Sequence, residues 1–241
     1  MDADGSQALP DAMTTRQAVL RGMRVGCSVP AAVLFATALG FGALMRDGGF
    51  SLAQAAFVTG TMFAMPNQVL LIDQFSRNET LAATAIAVAL AAMRLLPMTV
   101  TVMPLFARPK RRLAVDLIAS HFVAVTTWLE ANRHMPNLPA AVRMPFFFGL
   151  GGTIAGLMFL GTVLGFLLAQ GMPPLITTAL LFATPVYFFL SLITTSRSQL
   201  DFAAVGAGTC LIPITHALVP GFDLLAAGLI GGTLAMAIGR R

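Results

Sequence analysis

Charged residues are scarce in this chain. They make up 10% of its 241 residues, where an ordinary soluble domain carries about a quarter. With 57% hydrophobic residues and a mean hydropathy of +0.82, the shortage excludes a water-solvated globule and points to a bilayer. Catalytic signatures are missing as well. There is no HExxH, no GxSxG, no Walker A loop and no carboxylate pair on one apolar helix. Without a nucleotide-binding loop the chain cannot power itself with ATP. Its two cysteines, Cys27 and Cys210, fall inside apolar segments and read as small buried hydrophobes. They offer neither a disulfide framework nor metal-site spacing, so no metal or cofactor is expected. The apolar runs are long rather than ten-residue and alternating, which excludes a membrane barrel.

The net charge of +5 sits in short loops between apolar segments. Arg16, Arg21 and Arg24 precede the first; Arg108, Lys110, Arg111 and Arg112 lie mid-chain. Such placement is that of cytoplasmic flanks, and nucleic-acid binding is not expected. Eight apolar segments can be drawn, at 19–45, 52–72, 81–106, 113–129, 144–169, 173–194, 202–219 and 222–238. The last two are short and joined at Pro220-Gly221, as in a hairpin that enters the membrane only partly. The expected fold is therefore an all-α, polytopic helical membrane protein with seven to eight apolar segments. Residues 1–15, with Asp2, Asp4 and Asp11, are expected to be a flexible tail, and residues 16–241 a single transmembrane domain. The first segment is too long for a signal peptide and lacks a cleavage site, so it is expected to remain.

Three arginines before the first segment place the N-terminus in the cytoplasm. If segments one to three all cross, the basic 108–112 loop lands outside, against the positive-inside rule. One resolution is that segment two, interrupted by Pro66, Asn67 and Gln68, is broken or re-entrant.

A weak internal repeat accompanies these segments. Leu39-Gly40-Phe41 in segment one matches Leu164-Gly165-Phe166 in segment five, and Phe63-Ala64-Met65-Pro66 matches Phe182-Ala183-Thr184-Pro185. Pro97 and Pro213 follow at similar distances. One reading is chance in alanine-rich sequence. The other is a two-fold repeat of three-segment halves, with broken helices in segments two and six and a site between them. Glycines four apart (Gly22 and Gly26, Gly152 and Gly156, Gly161 and Gly165, Gly228 and Gly232) signal close helix contacts, within the chain or against another subunit.

Arg94 lies inside segment three, which is otherwise apolar, small or hydroxylic. An arginine near mid-membrane costs about 2.5–3.5 kcal/mol on insertion scales, so it marks a protein-facing or water-facing pathway. The Pro66-Asn67-Gln68 cluster is the leading binding-site candidate. Proline frees backbone carbonyls that must find partners in the membrane, either a polar substrate or a neighbouring helix. Segment four is the second candidate. At helical spacing Asp116, Ser120, Thr127 and Glu130 share one face, lining a cavity or lying along the membrane surface. His121 points away from that stripe and, like His216, reads as a packing histidine.

These residues resemble the AzlC-type (YgaZ-type) branched-chain amino acid permeases, as a divergent member. The resemblance runs from about Arg16 to the C-terminus in size, segment order and glycine placement. The family's Phe-Ala-Gly-Ala-Ser-Gln-like stretch reads Phe63-Ala64-Met65-Pro66-Asn67-Gln68 here. Its Asn-x-Arg is matched at Arg94, with Ala92 in place of the asparagine. Ser120-His121 stands where the family often has Asp-Glu, and the family's Pro-Phe-Gly in segment one is absent. The resemblance implies a bacterial inner-membrane exporter of branched-chain or related small amphipathic amino acids, working with a small AzlD-type (YgaH-type) membrane subunit. Substrate would meet Arg94, Gln68, Asn67 and Pro66, with Phe63, Met65 and Met93 selecting apolar side chains. Arg94 would pair with a substrate carboxylate or hold Asp116 in place. Asp116, Ser120 and Glu130 are the pathway or proton-coupling candidates. The competing readings are a non-transporting scaffold descended from a permease, and an intramembrane enzyme joining Asp116, Glu130 and His121.

Overall fold

A computed structural model describes residues 13–106, 112–171, 173–195, 199–218 and 223–239. The described residues form twelve α-helices and no strand. The basic 108–112 loop, save Arg112, and the Pro220-Gly221 joint lie outside them, as do residues 1–12 of the expected tail.

Segments one to four, each drawn as a single run, are two helices apiece. Segment one becomes α1 (Thr15–Gly26) and α2 (Val29–Asp47), so ordered helix already begins inside the expected tail. Thr14 and Gln17 close a capping box on α1, and Pro30 sits in the first turn of α2, where its missing N–H is harmless. Segment two becomes α3 (Leu52–Thr61) and α4 (Met65–Ser76), with residues 62–64 outside either helix. Segment three becomes α5 (Leu81–Ala92) and α6 (Leu95–Val102), the latter continued by a 3₁₀ turn through Phe106. These two bend by 44°. Pro97 has no N–H for the Met93 carbonyl, which accepts from Leu96 instead at 3.1 Å.

Segment four becomes α7 (Leu113–His121) and α8 (Val125–His134), at 113° to each other. Thr127 makes this corner. Its hydroxyl accepts the Ala124 N–H at 2.8 Å and donates to the Phe122 carbonyl at 2.6 Å, replacing backbone bonds. The corner overturns the continuous stripe expected from Asp116 to Glu130, because the two halves no longer share a helix axis.

The remaining helices are α9 (Ala140–Leu168), α10 (Pro174–Thr195), α11 (Gln199–Leu218) and α12 (Asp223–Gly239). The break expected in segment six does not occur, since α10 runs through position 185. Pro185 is followed by Val186 and Tyr187 rather than by amides that could take over a freed carbonyl. Among the described residues, α2 and α9 (with its terminal 3₁₀ turn) are long and apolar enough to cross a membrane; the bent pairs raise the number to four if each is one span.

Helix α9 is the axis of the core, packed by α1, α2 and α3, while α10 lies on α2 and α11 pairs with α12. Phe41, Phe146, Phe147, Leu150 and Ile154 fill this core and are buried. Glycine permits the closest approach, for a Cβ on Gly165 would run into the backbone of Leu39, and one on Gly22 into that of Phe146. Thus Gly22 with Gly26, and Gly161 with Gly165, pack within the chain. Gly152, Gly156, Gly228 and Gly232 have no described atom within 4 Å of their Cβ positions. Both cysteines are exposed rather than buried as expected: Cys27 ends α1 and Cys210 lies on α11. Position within an apolar run does not say which face of a helix a side chain takes.

Candidate functional site

The α3/α4 break is built by Gln68. Its Nε2 donates to the Met62 carbonyl at 2.5 Å, capturing the group that Pro66, four residues on, has no N–H to satisfy. Gln68 Oε1 lies 3.5 Å from the Thr59 hydroxyl, which lies 3.0 Å from that of Thr162 on α9. Gln68 and Thr162 are 0% exposed, so this relay pins the break to the core. Pro66 frees that carbonyl and also sits in the first turn of α4, where its own missing N–H and fixed φ suit a helix start.

Asn67, one residue before Gln68, is tied elsewhere. Arg94, at the α5/α6 joint, donates from Nη2 to Asn67 Oδ1 at 3.1 Å. Arg94 Nε is buried without a hydrogen-bond partner, and the side chain as a whole is half-buried.

Three breaks meet at one cavity of about 380 Å³. Met62, Phe63 and Ala64 line it from the α3/α4 break, Ala92 and Leu95 from the α5/α6 joint, and Ser120, His121 and Val123 from the α7/α8 corner. Asn67 and Thr61 complete its polar lining, and Ala85, Val88 and Ala89 of α5 extend the apolar wall. Phe63 stands against Phe122 edge to face, with ring centroids 6.0 Å apart, and His121 packs on the same ring at 5.3 Å. This open pocket combines apolar surface with a few polar groups, as small-molecule sites do.

Of the residues singled out in the sequence, Phe63, Asn67 and Ser120 line this cavity. Gln68 and Arg94 stand behind it through the bonds described. Met65 is 3% exposed in the core, whereas Met93 is 49% exposed at the surface. Asp116 is half-buried in the first turn of α7. Glu130 is buried on α8 and pairs with His134 Nε2 at 3.2 Å. His121, expected as a packing residue, faces the cavity. Sequence reasoning also missed Thr61 and Val88; their only signal, position next to a break or on one face of α5, becomes visible once the bends are known.

Fold and cavity together describe an all-helical chain, apolar enough in several helices for a membrane, whose helix breaks meet at one pocket. The chain belongs to the AzlC family, for that family's model, described as AzlC protein, matches residues 30–172. This span holds every cavity-lining residue, and the family assignment agrees with the resemblance read from the sequence. It places the chain among membrane proteins of amino-acid transport. No curated protein and no solved structure matches the chain.

Proposed function

We propose that the chain exports branched-chain or related small amphipathic amino acids across the bacterial inner membrane, with the cavity as the substrate site. The observation that carries this reading is the convergence of three helix breaks on one cavity. Broken helices at membrane depth are tolerated where they line a cavity, and transporters place substrate among them. The apolar wall of Phe63, Val88, Leu95 and Val123 suits an aliphatic side chain. One methylene in such a pocket is worth about 1–3 kcal/mol, so valine, leucine, isoleucine and methionine are poorly separated.

Arg94 acts through Asn67 in this scheme, and Gln68 and Pro66 shape the break rather than touch substrate. The Glu130–His134 pair is the coupling candidate, as a buried carboxylate beside a group that can carry a proton. A small AzlD-type membrane subunit would seat on the open Gly152 and Gly156 face of α9, where glycine lets a helix approach closely. The N-terminus, with exposed Arg16, Arg21 and Arg24 on α1, is cytoplasmic. The two-fold repeat is supported by exchanged packing: segment one lies on segment six, segment five on the first half of segment two, and one and five on each other.

Cells expressing the chain with such a subunit should retain less labelled leucine after loading than cells carrying the Arg94→Ala form. Equal retention by both, at matched membrane expression, would overturn the exporter reading.

A further inference from the structure

The polar groups around the cavity differ in hydrogen-bonding sense, and that sense follows from their partners. A guanidinium has only donors. Arg94 therefore fixes the Asn67 amide with Oδ1 turned to Nη2, leaving the two Nδ2 hydrogens for the cavity. Among the described residues these hydrogens meet no acceptor, although Asn67 is only 2% exposed. Asn67 also lies in the first turn of the twelve-residue α4, at the positive end of its dipole.

Thr61 and Ser120 carry the opposite sense. Carbonyls only accept, so the Thr61 hydroxyl spends its hydrogen on the Phe57 carbonyl at 2.7 Å and Ser120 on that of Leu117 at 2.8 Å. Both present lone pairs only. Thr61 is the last residue of α3, and Ser120 is in the last turn of α7, the negative ends of those helices.

We infer that the cavity is polarised for a zwitterion: Asn67 Nδ2, locked by Arg94, receives the carboxylate, and Thr61 Oγ1 and Ser120 Oγ receive the ammonium. The assignment rests on the amino-acid reading of this cavity and adds which end of the solute goes where. It makes Arg94 a positioning residue, whose charge is felt through the amide it orients. It also leaves the apolar wall, from Phe63 to the Val88 face of α5, to the solute's side chain.

The test compares binding of leucine, leucinol (no carboxylate) and 4-methylpentanoate (no amine) to the full chain in lipid nanodiscs. Wild type should favour leucine over each analogue by at least about tenfold, since a hydrogen bond to a charged group carries that much. Asn67→Asp, nearly isosteric and still able to pair with Arg94, replaces the donor by an acceptor. It should lower leucine affinity by at least about tenfold and leave leucinol within about threefold, erasing the carboxylate preference. Asn67→Ala should erase the same preference, and Ser120→Ala should weaken only the preference for an amine. Asn67 variants that keep the leucine-over-leucinol preference would overturn the assignment alone. A wild type that binds none of the three compounds would overturn the amino-acid reading, and the assignment with it.

Discussion

Arg94 and Asn67, 27 residues apart, join the α5/α6 bend to the first turn of α4 through a 3.1 Å bond from Nη2 to Oδ1. A costly cation is thereby spent on orienting a neutral amide at the cavity edge. Arg94→Ala should abolish transport while leaving membrane expression intact, and uptake-corrected efflux from cells measures it. Wild-type rates in that variant would show that the bond is structural only.

Gln68 is expected to act on stability before transport. Gln68→Leu keeps the volume but leaves the Met62 carbonyl without its side-chain donor and removes the contact with Thr59. A buried polar group left unpaired costs about 1–3 kcal/mol. The detergent-solubilised variant should therefore melt at a lower temperature than wild type. An unchanged melting curve would mean that the break does not depend on this amide.

The two glycine pairs of α9 should respond oppositely. Gly165→Val forces a side chain against the Leu39 backbone, which cannot yield, and should cost about 1–3 kcal/mol as overpacking. Gly152→Val meets open space and should change the chain's own stability by no more than about 0.5 kcal/mol. It should, however, weaken co-purification of the small subunit. Undiminished co-purification would move the partner to another face.

Much of this arrangement was legible in the sequence. The scarcity of charge gave the membrane class, Pro66-Asn67-Gln68 marked the broken segment, and Arg94 marked the face turned inward. The bends at 93–94 and 122–124 were not legible, because they arise from Pro97 and Thr127 acting on carbonyls several residues away. Unbent helical periodicity then placed Glu130 on one stripe with Ser120 and turned His121 away from the site. Pro185 misled in the other direction. A proline alone does not break a helix; segment two breaks where an amide two residues later captures the freed chain, and segment six has none.

Glu130 gives the prediction about coupling. Glu130→Gln keeps the shape and the hydrogen-bonding capacity toward His134 but cannot release a proton. Leucine efflux by wild type should respond to an imposed pH gradient, and the response should vanish in the variant while leucine binding is unchanged. Wild-type efflux insensitive to the gradient would rule out coupling at this pair.

Orientation has its own check. On the reading that the broken segment two re-enters rather than crosses, reporter fusions in the 107–112 loop should read cytoplasmic, in line with its basic residues. Periplasmic activity there would require segments one to three each to cross.

The most direct test of the exporter reading is efflux of labelled leucine, valine and methionine from loaded proteoliposomes, with and without the small membrane subunit. Efflux of all three that requires both the subunit and Arg94 is the expected result. No efflux from folded protein reconstituted with the subunit would contradict it, and would turn attention to a different solute or to a scaffold role.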